Sequence, residues 1–163
     1  MEDEILALSR PESFSLYISI PFCPTRCDYC SFVSQTVERA ARLIPQYVEL
    51  LAKEIAHTGA LAKALGLRLE TVYFGGGTPT TLTAEQLAFL LRTVEAHFDL
   101  SHLREYTVEA GRPDTVTEDK LRTLRAAGVT RVSINPQTLR DDVLQAIGRR
   151  HTVEQFYAAY DTA

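Results

Sequence analysis

Three cysteines, the whole cysteine content of the chain, lie within one short stretch. Cys23, Cys27 and Cys30 have the spacing Cys-x3-Cys-x2-Cys. Thiolates are soft ligands that suit zinc and iron–sulfur clusters. A structural zinc site needs four protein ligands, and the histidine nearest in sequence is His57, so three thiolates favour a 4Fe–4S cluster with one iron open to another ligand. Zinc with a distant fourth ligand, or buried cysteines without metal, remain alternatives.

A glycine-rich stretch, Gly75 to Thr80, follows a β-rich segment. Three consecutive glycines let a ligand approach the backbone closely. The stretch is not a P-loop, because no Gly-Lys-Ser/Thr follows, and Thr80 replaces the last glycine of the dinucleotide fingerprint. A ligand-binding loop and a plain strand-to-helix turn both fit. A ligand role is favoured by its position at the same predicted sheet edge as the cysteines.

Polar residues follow the other predicted strands. Glu109 ends one strand, where a carboxylate could accept hydrogen bonds from ribose hydroxyls or simply face solvent. Gln137 follows another strand and could bind a ligand or serve its turn. The basic cluster Arg149-Arg150-His151 is, from its composition alone, equally typical of a solvated helix end.

Strand and helix patterns alternate along the chain. Strands are predicted at 16–20, 71–74, 105–109 and 130–134. Between and after these strands, helices are predicted to follow Pro45, Thr83 and Thr117, and another to pass through Val143. A last helix follows Thr152 and runs to the end of the chain. This alternation predicts parallel βα units with right-handed crossovers. The loops at the carboxyl ends of such strands carry active sites.

The fold is therefore α/β, either doubly wound or a (β/α) barrel. A whole barrel takes roughly 200 or more residues, so residues 16–163 would form about half of one. The chain is also predicted to end inside a helix, which is typical of a fragment.

Composition excludes several classes of protein. The chain has 163 residues, of which 45% are hydrophobic and 23% charged, as in globular proteins and unlike disordered or fibrous ones. The net charge is −4 and the basic residues are scattered, which argues against nucleic-acid binding. No apolar run approaches the roughly 18 residues of a transmembrane helix. An acidic start and three closely spaced cysteines indicate the cytoplasm rather than secretion.

The motifs together resemble those of the radical S-adenosylmethionine enzymes. Three stretches, Tyr17 to Cys23, Gly75 to Thr80 and Ser133 to Thr138, resemble the oxygen-independent coproporphyrinogen III oxidase (dehydrogenase) family. Cys-Pro-Thr-Arg-Cys and the stretch Glu109 to Asp114 are most similar to its bacterial HemZ-like branch. The resemblance runs from about residue 16 to 163, and we assign residues 1–15 to a leader or linker.

The resemblance implies a partial parallel (β/α) barrel of about four βα units, the N-terminal part of a radical core domain. A 4Fe–4S cluster on Cys23, Cys27 and Cys30 would bind S-adenosyl-L-methionine and cleave it reductively to methionine and a 5′-deoxyadenosyl radical. In the family reaction, porphyrinogen propionates become vinyl groups with loss of carbon dioxide, in haem biosynthesis. The implied partners are a porphyrinogen or haem and a low-potential electron donor such as flavodoxin or ferredoxin.

The resemblance also implies contacts to S-adenosylmethionine at particular positions. It assigns the methionine moiety to Tyr17, its amino group to Gly76, Gly77 and Thr78, the adenine to Tyr29, the ribose to Glu109, and further contacts to Gln137 and Arg149. A side chain at Gly76 or Gly77 is expected to crowd the methionine end of S-adenosylmethionine.

One departure from the family pattern bears on function. The established coproporphyrinogen enzymes have a further cysteine two residues after the third, where this chain has Phe32. Relatives without that cysteine include haem chaperones, so a haem chaperone is an alternative, as is a zinc-binding α/β module. On its own the 163-residue chain is expected to keep cluster binding but to be inactive in porphyrinogen conversion. It is also expected to self-associate, through the edge of the strand at 130–134 and exposed rings such as Phe156 and Tyr160.

Overall fold

The computed structural model describes residues 10–32 and 34–163. Its strands are β1 (Ser13–Ile20), β2 (Phe22–Cys23), β3 (Gln35–Thr36), β4 (Arg68–Gly76), β5 (Glu105–Glu109) and β6 (Arg131–Ser133). Its α-helices are α1 (Val37–Ala40), α2 (Ile44–Ala64), α3 (Ala84–His97), α4 (Glu118–Ala126), α5 (Asp141–Ala146) and α6 (Val153–Thr162). Short 3₁₀ turns lie at Ala41–Leu43, Pro79–Thr81 and Pro113–Thr115.

The main sheet has four parallel strands in the order β1-β4-β5-β6. The predicted parallel α/β architecture is therefore confirmed. A small second sheet pairs β2 with β3, also in parallel, within the cysteine-containing segment. All carboxyl ends of the main sheet consequently lie along one edge.

The strand boundaries differ from the prediction for reasons of pairing. β1 begins at Ser13, three residues early, because Ser13 and Phe14 pair with the start of β4. Strand β1 thus includes residues 13–15, which were assigned to the leader or linker. Residues 1–9 of that leader lie outside the described part of the chain. β4 extends through the first two glycines, since Ile20 still pairs with Gly76. β6 is shorter than predicted and pairs on one side only, with β5.

The core fills the space between the sheet and the helices α2 and α3. The residues predicted to form one helical face are buried in both helices, among them Val48 and Ile55 in α2 and Leu87 and Val94 in α3. Full burial of such side chains stabilises the fold by about 1.5–3 kcal/mol each. These helices hold the sheet from one face and leave its carboxyl edge free for loops.

Helix starts follow the predicted capping signals. Thr83 and Gln86 form a reciprocal capping box at the start of α3, and Thr152 and Gln155 form another at the start of α6. Each box satisfies amide donors that a helix end leaves unpaired. Near the end of the chain, Tyr160 is 65% exposed as predicted, whereas Phe156 is half-buried against neighbouring rings. None of the helices in the described residues could cross a membrane, judged by length and apolar content.

Candidate functional site

A cavity of about 150 Å³ lies at the carboxyl edge of the main sheet. The loops that follow the main-sheet strands line it, together with Arg149, which follows α5. Of the eleven residues predicted for the site, ten line this cavity and Tyr17 does not. A larger cavity, of about 510 Å³, lies between α2, α3 and the start of β4, and contains none of the predicted residues.

The cysteine-containing segment, residues 21–32 and 34–36, is held in place by backbone hydrogen bonds. Cys23 ends β2 and pairs with Thr36, and the amide of Cys30 donates to the carbonyl of Cys27 at 3.1 Å. Cys27 is buried, Cys23 and Cys30 are half-buried, and all three are free thiols. Within residues 10–32 and 34–163, no three His, Cys, Asp or Glu side chains are grouped closely enough for one metal ion. In a 4Fe–4S cluster the three thiolates would bind three different irons, so cluster binding does not require such a group.

The glycine-rich loop packs directly on the cysteine-containing segment. The amides of Gly77 and Thr78 donate to the carbonyls of Ile20 and Phe22, both at 2.8 Å. The buried hydroxyl of Thr78 lies 3.5 Å from the sulfur of Cys23. These two amides are therefore already used. A ligand ammonium needs acceptors rather than donors, so the predicted contact to an amino group is compatible with this geometry.

The chain itself explains why glycine occurs in this loop. Gly76 has a φ of +103°, in the region that favours glycine. A Cβ at Gly77 would lie 2.7 Å from the carbonyl oxygen of Phe22 and 3.0 Å from the sulfur of Cys23. The first atoms that a side chain would meet at Gly77 are therefore the protein's own, and the expected crowding of the methionine end stays a prediction.

Lys120, from α4, ties together the loops that follow β4 and β5. Its ammonium donates to the carbonyl oxygen of Thr80 at 2.6 Å and to that of Thr115 at 3.0 Å. The hydroxyls of these two threonines lie 2.6 Å apart. Burial lowers the pKa of Lys120. This contact fixes the glycine-rich loop relative to the segment that carries Glu109.

Glu109 lies half-buried at the end of β5 and lines the cavity. The hydroxyl of Tyr73 donates to its Oε1 at 2.5 Å. Burial, and then this hydrogen bond, raise the pKa of Tyr73 to about 12, so the phenol stays a donor at neutral pH. Tyr17 stacks on Tyr73, with ring centroids 5.8 Å apart and an interplanar angle of 11°. Tyr17 thus adjoins Glu109 through Tyr73, from outside the cavity, and its contact to methionine stays a prediction.

Tyr29 collects hydrogen bonds from two other predicted residues. Its hydroxyl accepts from Nε2 of Gln137 at 2.7 Å and from Nη2 of Arg149 at 3.1 Å. Arg149 also donates to the carbonyl of Gly111 at 2.8 Å and is buried, as is His151. The interpretation of this basic cluster as a solvated helix end is therefore wrong for these two residues.

Four residues at or beside the cavity could not be given a role from the sequence: Tyr73, Gly111, Arg112 and Asn135. Arg112 follows the end of β5, and a charged residue just after a buried strand was the available signal. Tyr73 pairs with Thr107, so it shares a sheet face with Glu109 two residues further along β5. That relation depends on the strand register, which the sequence alone did not supply.

Parallel βα units with a cysteine-containing segment and a glycine-rich loop at one sheet edge define the class of protein. The family model of the radical SAM superfamily matches residues 17–163. The chain belongs to the radical SAM superfamily, as the sequence motifs indicated, and it is similar to coproporphyrinogen oxidase-like proteins of that superfamily.

Individual relatives are similar over nearly the whole chain. The oxygen-independent coproporphyrinogen-III oxidase-like protein HemZ of Bacillus subtilis is 43% identical over 150 residues, which cover 91% of this chain and 30% of HemZ. The heme chaperone HemW of the same organism is 38% identical over 153 residues, 91% of this chain and 38% of HemW. The chain thus spans about a third of the length of these relatives.

A solved structure confirms the fold class. Coproporphyrinogen III oxidase (HemN) from Escherichia coli, described as a radical SAM enzyme, superimposes with a TM-score of 0.79 at 27% identity. The match covers all of this chain and 37% of that one. The parallel sheet with alternating helices is accordingly a partial barrel of the radical SAM type.

Proposed function

We propose that this chain holds a 4Fe–4S cluster on Cys23, Cys27 and Cys30 and binds S-adenosylmethionine beside it. The observation that carries the proposal is the convergence of the cysteine-containing segment with the loops after β4, β5 and β6 on one cavity. The donor set fits the cluster, because thiolates are its usual ligands. When bound, such a cluster supplies one electron for the reductive cleavage of S-adenosylmethionine.

The residues around the cavity have distinct tasks in this proposal. Glu109, oriented by Tyr73, accepts hydrogen bonds from the ribose with the oxygen that Tyr73 leaves free. Tyr29 contacts the adenine, and Gln137 and Arg149, which donate to its hydroxyl, make further contacts to S-adenosylmethionine. Fixed side chains of this kind hold a ligand in one productive geometry.

The remaining contacts concern the methionine end of the ligand. Gly76, Gly77 and Thr78 receive its amino group, and Tyr17 lies beside its methionine moiety. In this division residues 1–15 are a leader or linker, and residues 16–163 are the N-terminal part of the radical core. Three thiols that must stay reduced are typical of a cytoplasmic protein.

For the whole protein we propose a coproporphyrinogen III dehydrogenase-like reaction, the oxidative decarboxylation of porphyrinogen propionates to vinyl groups. The names of the similar HemZ and HemN proteins support this reaction. A low-potential donor such as flavodoxin or ferredoxin would supply the electron. The second candidate is a haem chaperone, favoured by the similarity to HemW and by Phe32, which lines the cavity where the established enzymes have a further cysteine.

Two experiments test these proposals in turn. The reconstituted chain, reduced under anaerobic conditions, should release methionine and 5′-deoxyadenosine from S-adenosylmethionine, and Cys30→Ala should release neither. An active parent with an equally active Cys30→Ala variant would contradict the site. In the full-length protein, porphyrinogen turnover without tight haem binding would support the dehydrogenase. Stoichiometric haem binding without turnover would support the chaperone.

A further inference from the structure

Arg112 places a buried positive charge against one of the three cysteines. The residue is 2% exposed, and its Nη1 donates to the sulfur of Cys27 at 2.9 Å. Its Nη2 donates to the hydroxyl of Thr25, in the same cysteine-containing segment. Arginine keeps its charge in proteins, and a buried charge is costly unless it is paired. A specific negatively charged partner must therefore offset the buried charge of Arg112.

The carboxylate near Arg112 is not in hydrogen-bonding position. Oδ1 of Asp114 lies 3.8 Å from Nε of Arg112, and that buried Nε has no hydrogen-bond partner among the described residues. Of the atoms near the guanidinium that can carry a negative charge, the sulfur of Cys27 at 2.9 Å is closer than the carboxylate of Asp114 at 3.8 Å. A metal-bound cysteine is a thiolate, so the sulfur supplies the negative charge that the buried guanidinium needs.

The positive charge of Arg112 acts mainly on the sulfur of Cys27 rather than equally on all three cysteine sulfurs. Cys27 is the buried cysteine of the three, and its partner is cationic. The polar neighbour of Cys23 is the neutral hydroxyl of Thr78, at 3.5 Å. Hydrogen bonds to sulfur and the local net charge set the reduction potential of an iron–sulfur cluster. Reduction adds a negative charge, which a nearby buried cation stabilises.

We propose that Arg112 is a positioning residue that, through its hydrogen bond to Cys27, raises the reduction potential of the cluster bound by the three cysteines. The inference rests on the proposed function. The hydroxyl of Thr25 orients the guanidinium at Nη2. With Arg112 present, the cluster can accordingly accept its electron from a less strongly reducing donor than it would need without Arg112.

The test is a redox titration of the reconstituted chain, followed by electron paramagnetic resonance. Arg112→Gln keeps hydrogen-bonding capacity and removes the charge. At fixed potential we expect the ratio of reduced to oxidised cluster to fall at least tenfold, a negative shift of about 59 mV for a one-electron couple. Arg112→Lys, which keeps a charge there, should recover part of the shift.

The matched control is Arg122→Gln, which makes the same change in net charge on an arginine whose side chain is 77% exposed on α4. It should leave the midpoint unchanged. An Arg112→Gln variant that loads its cluster with the parent's midpoint would overturn the inference. If the Arg112 variants fail to fold, the midpoint potential of Thr25→Val becomes the test, because this variant removes the hydrogen bond at one end of the guanidinium. A smaller negative shift would support the inference, and an unchanged midpoint would refute it.

The failure of this inference is distinguishable from that of the proposed function. A parent chain that takes up no iron and sulfide would overturn the cluster assignment, and the role of Arg112 with it. A loaded parent whose midpoint does not depend on Arg112 would overturn only the role of Arg112.

Discussion

Replacing Gly77 with alanine would force a methyl group between the glycine-rich loop and the cysteine-containing segment. Its Cβ would lie 2.7 Å from the carbonyl oxygen of Phe22, 2.9 Å from that of Ile20 and 3.0 Å from the sulfur of Cys23. Two of these neighbours are backbone atoms, which cannot rotate away as a flexible side chain can. The loop and the segment must therefore move apart.

The size of the effect follows from what that movement disrupts. Overpacking a well-packed site costs about 1–3 kcal/mol. The same two carbonyls accept hydrogen bonds from the amides of Gly77 and Thr78, each worth about 1 kcal/mol net. We expect Gly77→Ala to lower the free energy of unfolding by about 3–5 kcal/mol, a large share of the roughly 5–15 kcal/mol typical of a folded domain. Because Cys23 moves with its backbone, cluster content should fall as well.

The assay is urea unfolding followed by circular dichroism, with iron content measured after anaerobic reconstitution. Gly111→Ala is the matched control, since it lines the same cavity and its Cβ would meet nothing closer than Asn135 at 3.5 Å. We expect the control to stay within about 0.5 kcal/mol of the parent. A Gly77→Ala protein that is as stable as the control, with full iron content, would refute the packing argument and leave only a ligand-facing role for this glycine.

Three further outcomes are expected. Replacing any one of the three cysteines with alanine should abolish the broad absorption near about 400 nm after reconstitution, and full absorption in a single variant would contradict the ligand set. Tyr73→Phe removes the donor to Glu109 and should weaken S-adenosylmethionine binding about tenfold by calorimetry. The control Tyr106→Phe removes a buried hydroxyl that has no partner among the described residues, and it should leave the affinity unchanged. Equal affinities in the parent and in Tyr73→Phe would count against the role of Tyr73 in orienting Glu109. Burial lowers the pKa of His151 below 6.5, so the free energy of unfolding should fall as pH drops below about 6.5. His151→Gln should flatten that fall, and an unchanged slope would assign it to other groups.

The fold was largely predictable because its signals are local. Capping pairs such as Thr83 with Gln86 mark helix starts through contacts three residues apart. Glu109 marked the end of β5 correctly. The two-residue strands β2 and β3, and the short helix α1, were missed, because β2 and β3 exist through pairing across the cysteine-containing segment. Strand ends also depended on partners, as at Ser13, which pairs with Arg68.

The candidate site was predictable where chemistry follows residue type and motif. The three cysteines and Glu109 could be found in this way, and they line one cavity. Arg112 and Tyr73 could not be assigned, because their roles depend on which loop lies against which. Arg112 contacts Cys27, 85 positions earlier in the chain, and no sequence pattern connects the two. The contact of Tyr73 with Glu109 likewise depends on strand register.

The most direct test of the account is to count iron and acid-labile sulfide in the anaerobically reconstituted chain. The cluster assignment predicts about four of each per chain in the parent protein, as for one 4Fe–4S cluster, and their loss when Cys23, Cys27 and Cys30 are replaced together. A parent chain that binds a single zinc ion, or that takes up no iron and sulfide under these conditions, would contradict the cluster assignment on which the proposed function rests.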